Sequence, residues 1–219
     1  MRKMKLAVFD CDGTLVDSQA MIVGIMGRAF AAEGHPVPTD QAIRRTIGLP
    51  LDQAISLLAP GADAASVTRL RTGYRDVSRS LHERHEPLFD GTRETLDRLA
   101  RAGWILAVAT GKSRRGLLAT LEHHDLLERF LSLHTADDGP GKPDPTMLRN
   151  AMSFAGAGPA DTVMIGDTTF DMQMAANAGV RGLGVVWGYH PREELMASGA
   201  YAVADSYAHL ADLLLDETA

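Results

Sequence analysis

Cysteine is nearly absent: Cys11 is the only one in 219 residues, which excludes an internal disulfide. Long apolar runs are missing too, and nothing approaches the roughly eighteen residues that a membrane-spanning helix requires. The basic start Arg2-Lys3-Met4-Lys5 leads into an apolar run that Asp10 cuts short, too brief for the core of a secretory signal. A cytoplasmic chain with no membrane partner is expected. There is also no block of lysine and arginine, and the net charge is -6. Without a basic footprint to neutralise a run of phosphates, nucleic acid is an unsuitable partner and a small molecule is favoured. Internal repeats and low-complexity segments are absent, and Ala155-Gly156-Ala157-Gly158-Pro159 reads as a loop.

What remains is an ordinary globular composition, long enough for one well-buried core and a smaller accessory unit. Four nearly continuous apolar runs, Leu6 to Phe9, Trp104 to Ala109, Thr162 to Ile165 and Gly182 to Trp187, have the character of strands covered on both faces; Phe130 to His134 is a weaker fifth. Between them lie helical patterns. Leu96, Leu99 and Ala100 precede Gly103, and Asp144-Pro145 opens a helix with a capping side chain and a first-turn proline. Alternating strands and helices predict an α/β fold, a parallel sheet flanked by helices. From Asp17 to His85 the rhythm changes. Val67, Leu70, Tyr74, Val77 and Leu81 recur at helical spacing, and Gly34-His35-Pro36, Gly48-Leu49-Pro50 and Pro60-Gly61 divide the stretch into several helices. This is an all-helical insertion following the first strand.

The chemistry-bearing residues follow the strands. The first ends in Asp10-Cys11-Asp12-Gly13-Thr14, presenting two carboxylates where parallel sheets bind ligands. Two acids facing one cavity call for a compensating cation or proton, which suggests a metal site. The second ends in Thr110-Gly111-Lys112, a hydroxyl and a backbone N–H suited to phosphate oxygens. Gly141-Lys142-Pro143-Asp144-Pro145 holds a lysine where neither helix nor sheet claims it, able to reach an anion. The fourth ends in Gly166-Asp167-Thr168-Thr169-Phe170-Asp171, with a second pair of acids. Singly, each has a structural explanation: turn formers, a strand-end turn, a solvated loop lysine, a helix cap. Jointly they form an ordered set of acid, hydroxyl, lysine and acid.

That set closely resembles the haloacid dehalogenase-like hydrolase superfamily over nearly the whole chain, in the flavour of phosphoglycolate phosphatases and beta-phosphoglucomutases. The resemblance implies a Rossmann-like core over residues 1–16 and 88–219, with residues 17–87 as a helical cap. It also implies an enzyme: a magnesium-dependent phosphatase acting on a small phosphorylated metabolite through an aspartyl-phosphate. Asp10 would be nucleophile and Mg²⁺ ligand, Asp12 the general acid and base and a backbone ligand, and Asp167 a carboxylate ligand. Thr110, Gly111 and Lys142 would hold phosphate, with Asp171 orienting Lys142 or the metal's surroundings. An acid two residues after the nucleophile suits an alkoxide leaving group, which must be protonated, better than a halide.

In the insertion, Arg44 and Arg45 lead into the Gly48-Leu49-Pro50 turn, so Arg45 is a candidate substrate clamp, against the alternative of a solvated surface. Lys112 points either into the cavity or to solvent. Cys11 reads as buried packing, and His82, His85, His123 and His124 as surface groups. Residues 17–85 contain no lysine, which argues against Schiff-base phosphonate cleavage. A phosphomutase on the same site and a catalytically silent binding protein remain as alternatives, as do a monomer and a homodimer.

Overall fold

The computed structural model describes residues 4–80 and 86–216. Its centre is strand β1 (Lys5–Phe9), flanked by β2 (Trp104–Ala109) and β4 (Thr162–Gly166). With β3 (Ser132–His134), β5 (Arg181–Val185) and β6 (Ala200–Ala204) they form one sheet, all parallel, in the order β3-β2-β1-β4-β5-β6. The expected α/β sheet is present, with two adjustments. β5 stops at Val185 because Trp187 leaves the ladder to donate its Nε1–H to the Thr14 carbonyl and stack on Tyr207. A sixth strand, β6, lies where the sequence suggested none.

The apolar runs of the sheet sort by alternation. Ala7 and Phe9 face one side, against α5 (Thr92–Arg101) and α10 (Tyr207–Asp216) through Leu96, Leu99, Leu210 and Leu214. Leu6 and Val8 face the other, against α7 (Thr146–Ala155) and α8 (Thr169–Ala178) through Leu148, Ala151 and Met174. A run that looks uniformly apolar thus feeds two cores. α6 (Arg114–His123) follows β2, and α9 (Arg192–Ala197) connects β5 to β6. Pro145 is the N-cap of α7 rather than a first-turn residue, and Asp144, one position earlier, accepts the Thr146 N–H at 2.9 Å in a turn that leads into the helix. Because the chain runs outward from β1 to β3 and then returns to β4, the strand order reverses beside β1. A crevice opens there at the carboxyl ends.

The stretch after β1 holds α1 (Gln19–Ala32), α2 (Asp40–Arg44), α3 (Leu51–Leu58) and α4 (Ala64–Ser80), with no strand among its described residues. These helices close around their own apolar centre of Met26, Phe30, Ile43, Ile55 and Leu70. Val67 and Tyr74 of the periodic set pack against it, while Leu81 lies outside the described residues. Where the chain leaves and re-enters the sheet layer, the two connections pair: Asp17 N–H donates to the Pro87 carbonyl at 2.8 Å, and Phe89 N–H to that of Leu15 at 3.2 Å.

Candidate active site

At the end of β1 the chain turns abruptly. The Cys11 carbonyl accepts N–H donors from Leu15 (2.8 Å) and Val16 (3.1 Å), and Gly13 carries φ of +83°. A Cβ on Gly13 would fall 2.4 Å from both Asp167 Oδ2 and the Tyr189 ring, so only glycine allows this turn against the β4 loop. Asp10 is 2% exposed, and its Oδ1 accepts the Cys11 N–H at 2.6 Å. That amide is therefore engaged by the carboxylate. The Cys11 side chain is buried packing, as expected.

Lys142 is completely buried, its Nζ 2.6 Å from Asp171 Oδ1 and 2.9 Å from Asp10 Oδ1. Both contacts are ion pairs between buried groups. Burial works against the Lys142 ammonium, but Asp10 and Asp171 outweigh it and hold its pKa above the usual lysine range. Asp171 is thus in direct contact with the lysine it was expected to orient. Its other oxygen accepts Thr168 N–H (3.0 Å) and Oγ1–H (2.6 Å), closing a capping box at the start of α8. Asp167, fully buried, accepts the Thr14 hydroxyl at 2.8 Å and the Tyr189 N–H at 2.9 Å.

Asp10, Asp167 and Asp171 each bring an oxygen within 4.8 Å of the others. Burial pushes the Asp10 carboxyl up to about 6 against the pull of Lys142, with Asp171 and Asp12 adding to the rise. Asp167 is driven well above the carboxylate range, first by burial, then by Asp10 and Asp171. Three buried acids against one ammonium leave a shortage of positive charge, and the donors are hard oxygens. A divalent cation such as Mg²⁺ fits that set.

Asp10 and Asp12 open into a cavity of about 590 Å³ between the sheet loops and helices α1, α3 and α4. Thr110, buried at the end of β2, accepts the Lys112 N–H on its hydroxyl at 3.2 Å, and Gly111 lines the cavity beside it. Lys112 points inward: Nζ lies 2.7 Å from Asp12 Oδ1 and 3.0 Å from Glu86 Oε1. The Gly48-Leu49-Pro50 turn reaches down onto these loops. A Cβ at Gly141 would meet Pro50 Cγ at 2.3 Å, and one at Gly48 would meet Thr168 Oγ1 at 3.1 Å.

Asp10, Asp12, Thr110, Gly111, Lys142, Asp167 and Asp171 therefore converge. Arg45 stands apart: it is absent from the cavity lining and pairs with Glu194 at 2.5 Å on the surface. Arg44 is also peripheral, 3.9 Å from Asp40. His124 is half-buried rather than a surface group, its Nε2 2.7 Å from the Glu86 carbonyl, whereas His82 and His85 lie outside the described residues. Sequence reasoning missed the parts played by Thr14, Glu86, Gly188 and Tyr189. The hydroxyl beside Gly13 and the Gly-Tyr pair after β5 were the available signals. Gly188 is as constrained as Gly13, since a Cβ there would lie 2.2 Å from Asp167 Oδ2.

Comparison with known proteins agrees with this geometry. A probable phosphatase, IndB, of Dickeya dadantii is 38% identical over 209 residues, covering 94% of this chain and 91% of that protein. A phosphoglycolate phosphatase of Vibrio vulnificus is 30% identical, covering 98% and 97%. Among solved structures, a hydrolase from Pseudomonas syringae superposes with a TM-score of 0.87 at 27% identity, covering 99% of this chain and all of that one. The family model for haloacid dehalogenase-like hydrolases matches residues 7–185, and the chain belongs to that family.

Proposed function

We propose that the chain is a magnesium-dependent phosphatase that hydrolyses a small phosphate monoester through an aspartyl-phosphate on Asp10. The observation that carries this reading is the position of Asp10: at the end of the central strand, 2.9 Å from a buried lysine and facing the cavity. Relatives named phosphatase, phosphoglycolate phosphatase and pyrophosphatase support the same chemistry.

Asp10 attacks phosphorus, the ester P–O bond breaks, and Asp12 donates a proton to the leaving oxygen. A water then enters, Asp12 takes its proton, and attack on phosphorus releases phosphate and restores Asp10. Lys142, the Thr110 hydroxyl and the Gly111 N–H hold the phosphoryl oxygens, where charge gathers during transfer. Mg²⁺ held by Asp10, Asp167 and the Asp12 carbonyl would neutralise part of that charge. Residues 17–87 act as a cap over the remaining residues, which form the core. Its hinge lies at Val16-Asp17 and Pro87-Leu88, where the two connections pair, so the cap can move as a unit over the site. The enzyme acts in the cytoplasm on a phosphorylated metabolite.

Phosphate release from a panel of small phosphoesters, with Mg²⁺ and with chelator, tests the reading. Magnesium-dependent release from at least one ester is expected. Isomerisation of a sugar phosphate that requires a bisphosphate activator, without net release, would overturn it in favour of a mutase.

A further inference from the structure

Lys112 is fixed along its whole length. Its N–H donates to the Thr110 hydroxyl and its carbonyl accepts the Ala136 N–H, each at 3.2 Å, so the backbone is tied on both sides. The stem then passes the first turn of α6, where a Cβ on Gly116 would lie 3.3 Å from Lys112 Cγ and 3.6 Å from Cε; glycine leaves it room. At its end the ammonium donates to Asp12 Oδ1 at 2.7 Å and to Glu86 Oε1 at 3.0 Å. Side-chain exposure is 15% for Lys112, 13% for Asp12 and 6% for Glu86, so solvent screens these charges little.

Glu86 is anchored in turn. Its Oε2 accepts the Thr120 hydroxyl in a long contact of 3.5 Å, and its carbonyl accepts the Nε2–H of His124, just past the end of α6, at 2.7 Å. One lysine thus stands between two carboxylates, and only one of them, Asp12, has a part in the proposed reaction. The consequence is geometric. With Asp12 Oδ1 taken by the ammonium, Oδ2 is the oxygen that accepts no hydrogen bond among the described residues, and it is left to give and take the proton.

Building on the phosphatase reading, we propose that Lys112 and Glu86 are positioning residues for Asp12: the lysine pins one carboxyl oxygen so that the other meets the leaving oxygen, and Glu86 holds the lysine there. Glu86 also keeps the buried ammonium paired while Asp12 carries the proton.

The test is the dependence of kcat/KM on the leaving group across phenyl, 4-chlorophenyl and 4-nitrophenyl phosphate, in wild type, Lys112→Met, Glu86→Gln and the double variant. Nitrophenolate departs without a proton whereas phenolate needs one, so a misplaced acid penalises phenyl phosphate selectively. Each single variant is expected to lower the phenyl-to-nitrophenyl ratio of kcat/KM about tenfold, within what general acid catalysis supplies. Both esters are read on one preparation, so a smaller folded fraction cancels from the ratio. Because Glu86 acts through Lys112, the double variant should fall no further than Lys112→Met, and Lys112→Arg should recover part of the ratio. A ratio unmoved in both single variants, or losses that multiply in the double variant, overturns the proposal while wild-type hydrolysis upholds the phosphatase reading. No release by wild type from these esters or from the rest of the panel overturns both.

Discussion

Lys142 Nζ lies 2.6 Å from Asp171 Oδ1, both side chains wholly buried, and the same nitrogen reaches Asp10 at 2.9 Å. A carboxylate on α8 thus meets the lysine of the 141–145 loop beside the end of the first strand. Removing Asp171 leaves the ammonium with Asp10 alone, and removing Lys142 leaves two buried carboxylates without their cation.

Asp171→Asn keeps the size of the side chain but removes the charge opposite Lys142. It is expected to cost about 3 kcal/mol of stability, the usual scale for breaking a buried ion pair. Activity should fall roughly ten- to a hundredfold as Lys142 loses its orientation. Urea unfolding and steady-state kinetics measure both. An unchanged midpoint with unchanged kcat would remove Asp171 from the account.

Gly188→Ala is a sharper probe of the proposed cation site, because its Cβ would fall 2.2 Å from Asp167 Oδ2. The carboxylate must move, and a displaced ligand is expected to weaken Mg²⁺ affinity about ten- to a hundredfold. Magnesium titration of activity, together with calorimetry of Mg²⁺ alone, would show it. Wild-type affinity in a folded variant would mean that Asp167 does not hold the cation.

Stability without metal should depend on pH through Asp10. Its folded pKa, near 6, lies above the unfolded value of 3.8, so its folded form favours the proton. Its contribution to stability is therefore full below about pH 3.8 and is lost as pH rises through about 6. Asp10→Asn cannot ionise and escapes that loss. In chelator, the variant should gain on wild type between pH 4 and 6, reaching about 1–3 kcal/mol above pH 6. Mg²⁺ should narrow the gap by stabilising wild type. A constant difference across the pH range would contradict a raised Asp10 pKa in the folded chain.

The grouping of these residues at the strand ends was legible in the sequence because each piece is local. Asp10-x-Asp12-Gly13, Thr110-Gly111, Lys142 and Asp167 are short motifs at the ends of apolar runs, and the sheet needs only to align those ends. Strand β6 was not legible: Ala200–Ala204 is small and mixed, and becomes a strand through pairing with β5. Likewise, the partners of Asp167, Thr14 and Tyr189, lie 153 and 22 residues away and meet it only through the fold. For Arg45 the local helix-to-turn context did not reveal Glu194, 149 residues on, which takes its guanidinium at the surface.

The central claim is that Asp10 is the nucleophile, and the most direct measurement is phosphate release with Mg²⁺ by wild type and Asp10→Asn side by side, on the best ester of the panel. The account predicts that the variant folds and loses turnover on the order of a thousandfold or more. Comparable turnover in a verified Asp10→Asn preparation would contradict it.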